Sequence, residues 1–364
     1  MKIAVDGNEA NVSEKVGVSV YTYNILHYFA RRASADLQFV IYLKNPPQSD
    51  LPTPSAYFAY HVVKGPFLWS QLFLPFNLYL HPQCDVFFSP AHYAPRFCPI
   101  PTVVTIHDVS YLYYPQEFLK KDLYQLKNWT AYSVKKAKKI IAVSETTKKD
   151  IMKFYHIPDE KIKVIHNGYQ SIINSKKPTA KSQQPYILYV GTIQPRKNLI
   201  TLINAFNSFL KEKPDYRLII AGKKGWLYEE IFNHVRASHL EHKVIFTGYV
   251  SDEEKEVLYT NASLFVLPSL YEGFGIPLLE AMSLGCPVVS SKSSSLPEIG
   301  GNACLYFDPH DPQELAEKML EIVTNTALAQ ELVKKGKERV QLFSWEKCAQ
   351  ETLEALKNTV KHEG

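Results

Sequence analysis

The chain has 364 residues, 46% hydrophobic and 21% charged, an ordinary globular composition long enough for two domains with separate cores. Its net charge of +5 is mild and carries no aromatic-interleaved basic stripe, which argues against nucleic-acid binding. Five scattered cysteines (Cys84, Cys98, Cys286, Cys304, Cys348), none in a Cys-x-x-Cys pair, exclude a disulfide framework or zinc site and suit a reducing cytoplasm.

In chain order, residues 2–6 read as a first strand rather than a signal peptide, and Gly17–Leu26 as a glycine-led helix. This opening suits a doubly wound α/β domain but lacks the Gly-x-Gly-x-x-Gly dinucleotide fingerprint. Residues 37–43 form the next strand, followed by a proline-rich loop. Pro66–Leu80 is too short and too interrupted to span a membrane. Within it Phe67, Leu68, Trp69, Leu72 and Phe73 read as core, with membrane contact the alternative. Residues 85–90 form a strand with His92 just past its end. The apolar strand from Thr102 then delivers His107 and Asp108 at its carboxyl end, where open α/β sheets place ligands. Asp108 orients His107 or caps a turn. The clusters Lys120-Lys121, Lys135-Lys136 and Lys138-Lys139 read as a solvated helix face or as docking to an anionic membrane. Residues 139–144 form a strand ending at a Ser144 N-cap, with 145–155 helical. Asn167-Gly168 turns the chain out of a first domain, 1–173, and the polar, aperiodic stretch 174–184 is a linker.

The second domain, 185–344, restarts with a strand ending at Gly191. Thr192 follows, then Pro195-Arg196-Lys197-Asn198 and a helix over 199–209. Arg196 and Lys197 sit at a strand-to-helix turn, suited to neutralising a diphosphate by a guanidinium fork and a point charge. Strands over 217–222 and 244–250 end in glycines. Ser295-Leu296-Pro297-Glu298 reads as an N-cap with a structural Glu298, and Asp311 opens another helix similarly. Residues 345–364 carry a final helix.

The most informative stretch is Leu270–Gly285, a loop feeding a helix. Pro277 suits its first turn and Gly285 its C-terminal cap. Gly273 and Gly275 permit close backbone approach where the helix offers N–H groups, a phosphate cradle flanked by Glu272 and Glu280. A carboxylate holds phosphate poorly but accepts from vicinal hydroxyls. The combination suits a sugar–diphosphate–ribose ligand, a nucleotide sugar.

The Glu-Gly-Phe-Gly-Ile-Pro-Leu-Leu-Glu-Ala-Met run from Glu272 and the Gly-Cys-Pro-Val-Val run from Gly285 resemble glycosyltransferase family 4. They include the Glu-x7-Glu arrangement of retaining enzymes. The resemblance implies an α/β GT-B fold, two doubly wound Rossmann-like domains facing a central cleft, with the last helix crossing back to the first domain. It implies that Glu272 contacts the donor sugar, that the amides of Gly273, Phe274, Gly275 and Ile276 hold the pyrophosphate, and that Glu280 holds the ribose. It further implies His107 near the reacting oxygens, with Asp108 and Gly17 beside the donor or acceptor. Gly191 and Thr192 adjoin the diphosphate, and Gly248, Tyr249 and Val250 the nucleobase. Many family members have Arg where Thr192 stands; Lys197 matches their lysine, and Arg196 supplies a guanidinium nearby.

With no Asp-x-Asp motif, leaving-group stabilisation falls to Arg196, Lys197 and helix-end amides, so neither metal nor cofactor is expected. The catalytic set is then His107, Glu272, Arg196 and Lys197. The Pro195–Asn198 variant resembles bacterial surface-polysaccharide mannosyltransferases and favours GDP-mannose, UDP-sugars remaining open. The expected partners are the nucleotide sugar, a glycan or lipid-linked acceptor and anionic membrane, in the cytoplasm or at the inner membrane face. A nucleotide-sugar epimerase and a non-catalytic carbohydrate-binding protein are the alternatives; a nicotinamide oxidoreductase lacks its glycine fingerprint.

Overall fold

The structure, a computed structural model, describes residues 1–15, 17–66, 68–80, 84–169 and 184–361. The described residues form two compact units. The first holds Met1–Pro115, Leu119–Gly168 and the chain from Phe343 onward; the second holds Gln116–Phe118 and the described part of Tyr169–Leu342. Apart from Gln184, the expected linker lies outside the described residues.

In the first unit, strands β1 (Lys2–Asp6), β2 (Gln38–Leu43), β3 (Phe58–Val62), β4 (Val86–Ser89), β5 (Thr102–Ile106), β6 (Lys139–Ala142) and β7 (Ile162–Val164) form a parallel sheet. Their order is β3-β2-β1-β4-β5-β6-β7. Pairing runs Ile3 with Phe39 on one side of β1 and Ile3 with Val86 on the other. Strand alternation splits the core: Ile3, Val5, Phe39 and Ile41 join one cluster, while Ala4 and Tyr42 join the other. The crossovers include α1 (Val18–Arg32), α2 (Phe73–Leu80), α3 (Ser110–Tyr113), α4 (Lys120–Lys136) and α5 (Glu145–Tyr155). Ser144 caps α5 by accepting from the Thr147 N–H at 3.1 Å.

The second unit has β8 (Tyr186–Val190), β9 (Arg217–Ala221), β10 (Val244–Gly248), β11 (Leu264–Leu267), β12 (Val288–Ser291) and β13 (Cys304–Phe307), ordered β10-β9-β8-β11-β12-β13. Its helices are α6 (Leu199–Phe209), α7 (Glu229–Ala237), α8 (Asp252–Asn261), α9 (Ile276–Ser283), α10 (Leu296–Gly300), α11 (Pro312–Thr324) and α12 (Thr326–Val340). In each sheet the winding reverses once, between β1 and β4 and between β8 and β11, and ligands gather at the carboxyl ends of such strand pairs.

The last helix, α13 (Trp345–Lys361), packs against α1 in the first unit. It contributes Cys348, Ala349, Leu353 and Leu356 to the buried cluster around Ile3 and Phe29. Each buried leucine there is worth about 1.5–3 kcal/mol relative to exposure. Arg31 and Arg32 add ion pairs to Glu346 at 3.3 and 3.1 Å. A Cβ on Gly168 would meet the Trp345 backbone nitrogen at 2.2 Å, so this junction needs glycine.

The Pro66–Leu80 segment departs from its reading as core. Trp69, Leu74 and Leu78 are buried against Ala4, Tyr42 and Phe87, but Leu68, Leu72 and Phe73 are exposed, and Phe67 lies outside the described residues. An apolar helix that touches the sheet along one stripe leaves its other side uncovered. Among the described residues no helix is long and apolar enough to cross a membrane, and all five cysteines are free.

Candidate active site

In the second unit, β8 hands the chain to Gly191 and β9 to Gly222. A Cβ on Gly222 would sit 1.9 Å from the Gly191 carbonyl oxygen, so only glycine allows this approach. The Gly222 N–H donates to the Gly248 carbonyl at 2.8 Å, carrying the row on to β10, where Tyr249 is exposed. Beyond Thr192 the chain makes a tight turn over Pro195–Lys197. Asn198, in the left-handed region at φ 57°, anchors it by donating to the carbonyls of Pro268 (3.1 Å) and Pro309 (2.7 Å). The Leu270 N–H donates to the Arg196 carbonyl at 2.9 Å. The basic turn after β8 is thereby fastened to the loop after β11, across the winding reversal.

This fastening brings Arg196, Lys197 and Glu272 together. Lys197 Nζ lies 2.5 Å from Glu272 Oε1, and Arg196 Nη1 lies 3.9 Å from Glu272 Oε2 while donating to the Tyr271 carbonyl at 2.5 Å. Ser269 Oγ donates to Glu272 Oε1 at 2.7 Å. The three charged side chains are only 12–15% exposed. Burial pushes the Glu272 carboxyl up, but the charges of Lys197 and Arg196 outweigh it and hold it below the usual carboxylate range. Arg196 Nε, Gln194 Oε1 and Glu117 Oε2 are buried without hydrogen-bond partners. Burial raises the Glu117 carboxyl, with the Arg196 charge opposing it.

After Glu272, the Gly273–Gly275 stretch is itself buried; Gly275 turns at φ 105° into α9, with Ile276 and Pro277 in its first turn. Glu280 on α9 accepts from the Tyr259 hydroxyl at 2.9 Å and pairs with Lys255 at 3.4 Å.

Sequence reading missed the hydroxyls that hold this loop. Ser291 Oγ donates to the Ser269 carbonyl at 2.6 Å, and Ser293 Oγ to that of Leu270. The Glu272 N–H donates to Ser294 Oγ at 2.8 Å, and Ser295 Oγ donates to the carbonyls of Glu272 (2.8 Å) and Phe274 (3.0 Å). Ser295 therefore makes no side-chain cap on α10, contrary to expectation, because its hydroxyl is spent on the neighbouring loop. The signal was visible: serine fills five of the six positions from Ser290 to Ser295, at the end of β12 and just beyond it. Glu117 was missed too, its segment being distant in sequence.

In the first unit, His107 follows β5 and Pro90 follows β4. His107 Nε2 lies 2.8 Å from the Pro90 carbonyl, which can only accept, so Nε2 carries the proton and Nδ1 a lone pair. The ring meets Tyr21 edge-on at 4.9 Å and lies 5.9 Å from that of His92. Burial, seconded by His92, lowers His107 to about 4, leaving it neutral at pH 7. Asp108 accepts from the Ser110 N–H (3.0 Å) and hydroxyl (2.8 Å), capping the turn into α3. Gly17 precedes α1 with φ 51° and open space around it. Asp6, at the end of β1, is raised to about 6, chiefly by burial, although Asn8 donates to it. Among the described residues no three His, Cys, Asp or Glu side chains cluster as a metal site requires.

Two parallel doubly wound α/β units, one with a cation–carboxylate cluster at its winding reversal, are the domain architecture of the GT-B class. Two family models cover most of the chain: "Glycosyltransferase Family 4" over residues 16–170 and "Glycosyl transferases group 1" over 171–339. The O-antigen chain mannosyltransferase B of Escherichia coli is 33% identical over 265 residues, 70% of each chain. The O-antigen chain mannosyltransferase RfbU of Salmonella typhimurium is 35% identical over 57% of each. In structure, Anabaena HepE in complex with UDP-glucose superposes with a TM-score of 0.75 at 19% identity, covering 98% of this chain and all of that one. The protein belongs to glycosyltransferase family 4.

Proposed function

We propose that the protein moves a hexose from a nucleoside-diphosphate sugar to a glycan or lipid-linked acceptor, with retention of anomeric configuration and without metal. GDP-mannose is the favoured donor, supported by the Pro195–Asn198 sequence and the two mannosyltransferase relatives; the UDP-glucose complex of HepE keeps UDP-sugars in the test. The acceptor is met on the cytoplasmic side, at the inner face of the membrane. The observation that carries the reading is the Arg196–Lys197–Glu272 cluster, with the Arg196 Nε still holding an unused donor.

A diphosphate entering this cluster takes up the Lys197 and Arg196 charges and the N-terminus of α9, which stabilise the departing phosphate as the anomeric bond breaks. Glu272, ionised and next to the same cations, accepts from sugar hydroxyls that acidify as positive charge develops at the anomeric carbon. The acceptor attacks from the face the phosphate leaves, and its proton passes to the leaving phosphate oxygen. Neutral His107, its Nε2–H held by Pro90, offers Nδ1 as a hydrogen-bond acceptor for a substrate hydroxyl. Glu280 reads the ribose. Lys255 and Tyr259 hold its carboxylate in one orientation.

The experiment is incubation with GDP-, UDP- and ADP-sugars, with and without a lipid-linked acceptor and with EDTA, followed by product analysis and NMR of the new linkage. An α-linked product from an α-donor in EDTA supports the reading. An altered free nucleotide sugar without acceptor transfer would indicate an epimerase, and binding without turnover a carbohydrate-binding protein.

A further inference from the structure

Gln116, Glu117 and Phe118 belong to the second unit, where Trp226 anchors them. The Trp226 Nε1–H donates to the Glu117 carbonyl, and its ring lies 5.8 Å from that of Phe118. The loop carrying Trp226 is fastened in turn to the chain leaving β8. The Ile193 N–H donates to the Lys223 carbonyl at 3.0 Å, and the Gly225 N–H to the Ile193 carbonyl at 2.9 Å. A Cβ on Gly225 would meet that carbonyl oxygen at 2.9 Å, so glycine admits the approach. Glu117 is thereby fixed through its backbone beside the turn that carries Arg196 and Lys197.

Its carboxylate is not fixed in the same way. Oε2 is buried without a hydrogen-bond partner, and the cation acting on it is Arg196, whose Nε is also buried and unpartnered. The basic turn therefore answers to two carboxylates of different kinds. Glu272 is gripped by Lys197 and Ser269, whereas Glu117 Oε2 takes no hydrogen bond from any described residue. A carboxylate desolvated without hydrogen bonds is costly. Held near a phosphate-binding cation, it repels whatever phosphate that cation receives.

We propose that Glu117 is a specificity-determining residue of the donor site, whose charge disfavours the nucleoside-diphosphate product more than the nucleotide-sugar donor and so promotes product release. The inference rests on the diphosphate position at Arg196 and Lys197 given under the proposed function. In the donor, the distal phosphate is esterified to the sugar and carries a single charge. In the product it is a terminal phosphate with a second ionisation near about 6, so it gains a charge at neutral pH. A fixed anion nearby acts on that added charge, and the bare product meets the larger repulsion.

The test is calorimetric titration of the full chain with GDP, GDP-mannose, UDP and UDP-glucose, above neutral pH, at low and high ionic strength. Glu117→Gln keeps the shape and removes the charge. It should tighten the nucleoside diphosphate about fivefold or more beyond any change for the matching nucleotide sugar, with unchanged melting temperature. High salt should narrow that difference. Glu117→Asp keeps the charge and should keep the wild-type ratio of the two affinities, which separates charge from packing. An unchanged ratio in Glu117→Gln, or weaker binding of both ligands, overturns the role of Glu117 and leaves the donor site standing. Failure of the wild type and both variants to bind any of the four ligands overturns the donor site and this inference together.

Discussion

Lys197 and Glu272, 75 positions apart, meet at 2.5 Å because β8 and β11 are neighbours in the sheet and Asn198 ties the loops that follow them. The contact joins a group expected to face the diphosphate with one expected to face the sugar, so its two halves report on each other. Removing one partner of a buried ion pair costs about 3–5 kcal/mol, whereas removing both costs far less. Lys197→Met should therefore lower stability in urea unfolding, and adding Glu272→Gln should restore part of it. Donor affinity and turnover should stay low in both. A double variant as unstable as the sum of the singles would show no coupling, and unchanged donor affinity in Lys197→Met would place Lys197 outside the site.

The strand ends of the first unit hold two groups whose titrations oppose each other. Folding lowers His107 to about 4, so the unfolded chain binds the extra proton, and this contribution to stability is present above about 6.5 and lost as pH falls towards 4. Folding raises Asp6 to about 6, so the native chain binds the extra proton, and that contribution is present at acid pH and lost as pH rises through 6. Each shift corresponds to roughly 3 kcal/mol at full extent, and the two nearly cancel between pH 4 and 6. Asp6→Asn should make stability climb steeply with pH across this window, and His107→Asn should make it fall. Urea midpoints at half-unit intervals would reveal the slopes; identical slopes in both variants would mean that neither group is perturbed.

Ser294 accepts from the Glu272 backbone and so sets where that carboxylate begins. Ser294→Ala leaves the N–H without this acceptor, a cost of about 1–3 kcal/mol if nothing replaces it. The larger effect should be on chemistry, because a misplacement near 1 Å can cost about a hundredfold in rate. Turnover should drop tenfold or more while nucleoside-diphosphate affinity stays near wild type. Equal losses in both would reduce the serine to a general scaffold role.

The strands and where they end were legible because apolar runs stop at Gly, Pro or polar residues, as at Gly191, Gly222 and His107. Helix Leu199–Phe209 was equally plain from its flanks. What could not be read was which loop lies across from which. Ser295 satisfies every local rule for an N-cap, and only the neighbouring β11 loop diverts its hydroxyl. The α2 segment failed differently: an apolar run shows a wish for burial, and nothing local says whether a second surface covers it. Glu280 was legible as a helix carboxylate flanking the glycine loop, but its partners Tyr259 and Lys255 lie on a helix whose position only the fold supplies.

Those partners sharpen the division of labour between the two glutamates. Glu280 is steadied by a phenol and an ammonium on α8 and should serve ribose binding. Glu272 shares the buried cations and should serve the sugar, whose hydroxyls change most as the anomeric bond breaks. Glu280→Gln should therefore raise the donor KM with a smaller change in kcat, and Tyr259→Phe should do the same more weakly by releasing one oxygen of the carboxylate. Glu272→Gln should lower kcat as well, since its contact strengthens in the transition state. The nucleoside diphosphate, which carries ribose without sugar, separates the roles in one titration. Its affinity should fall in the Glu280 and Tyr259 variants and hold in Glu272→Gln. A fall confined to Glu272→Gln would reverse the assignment of the two carboxylates.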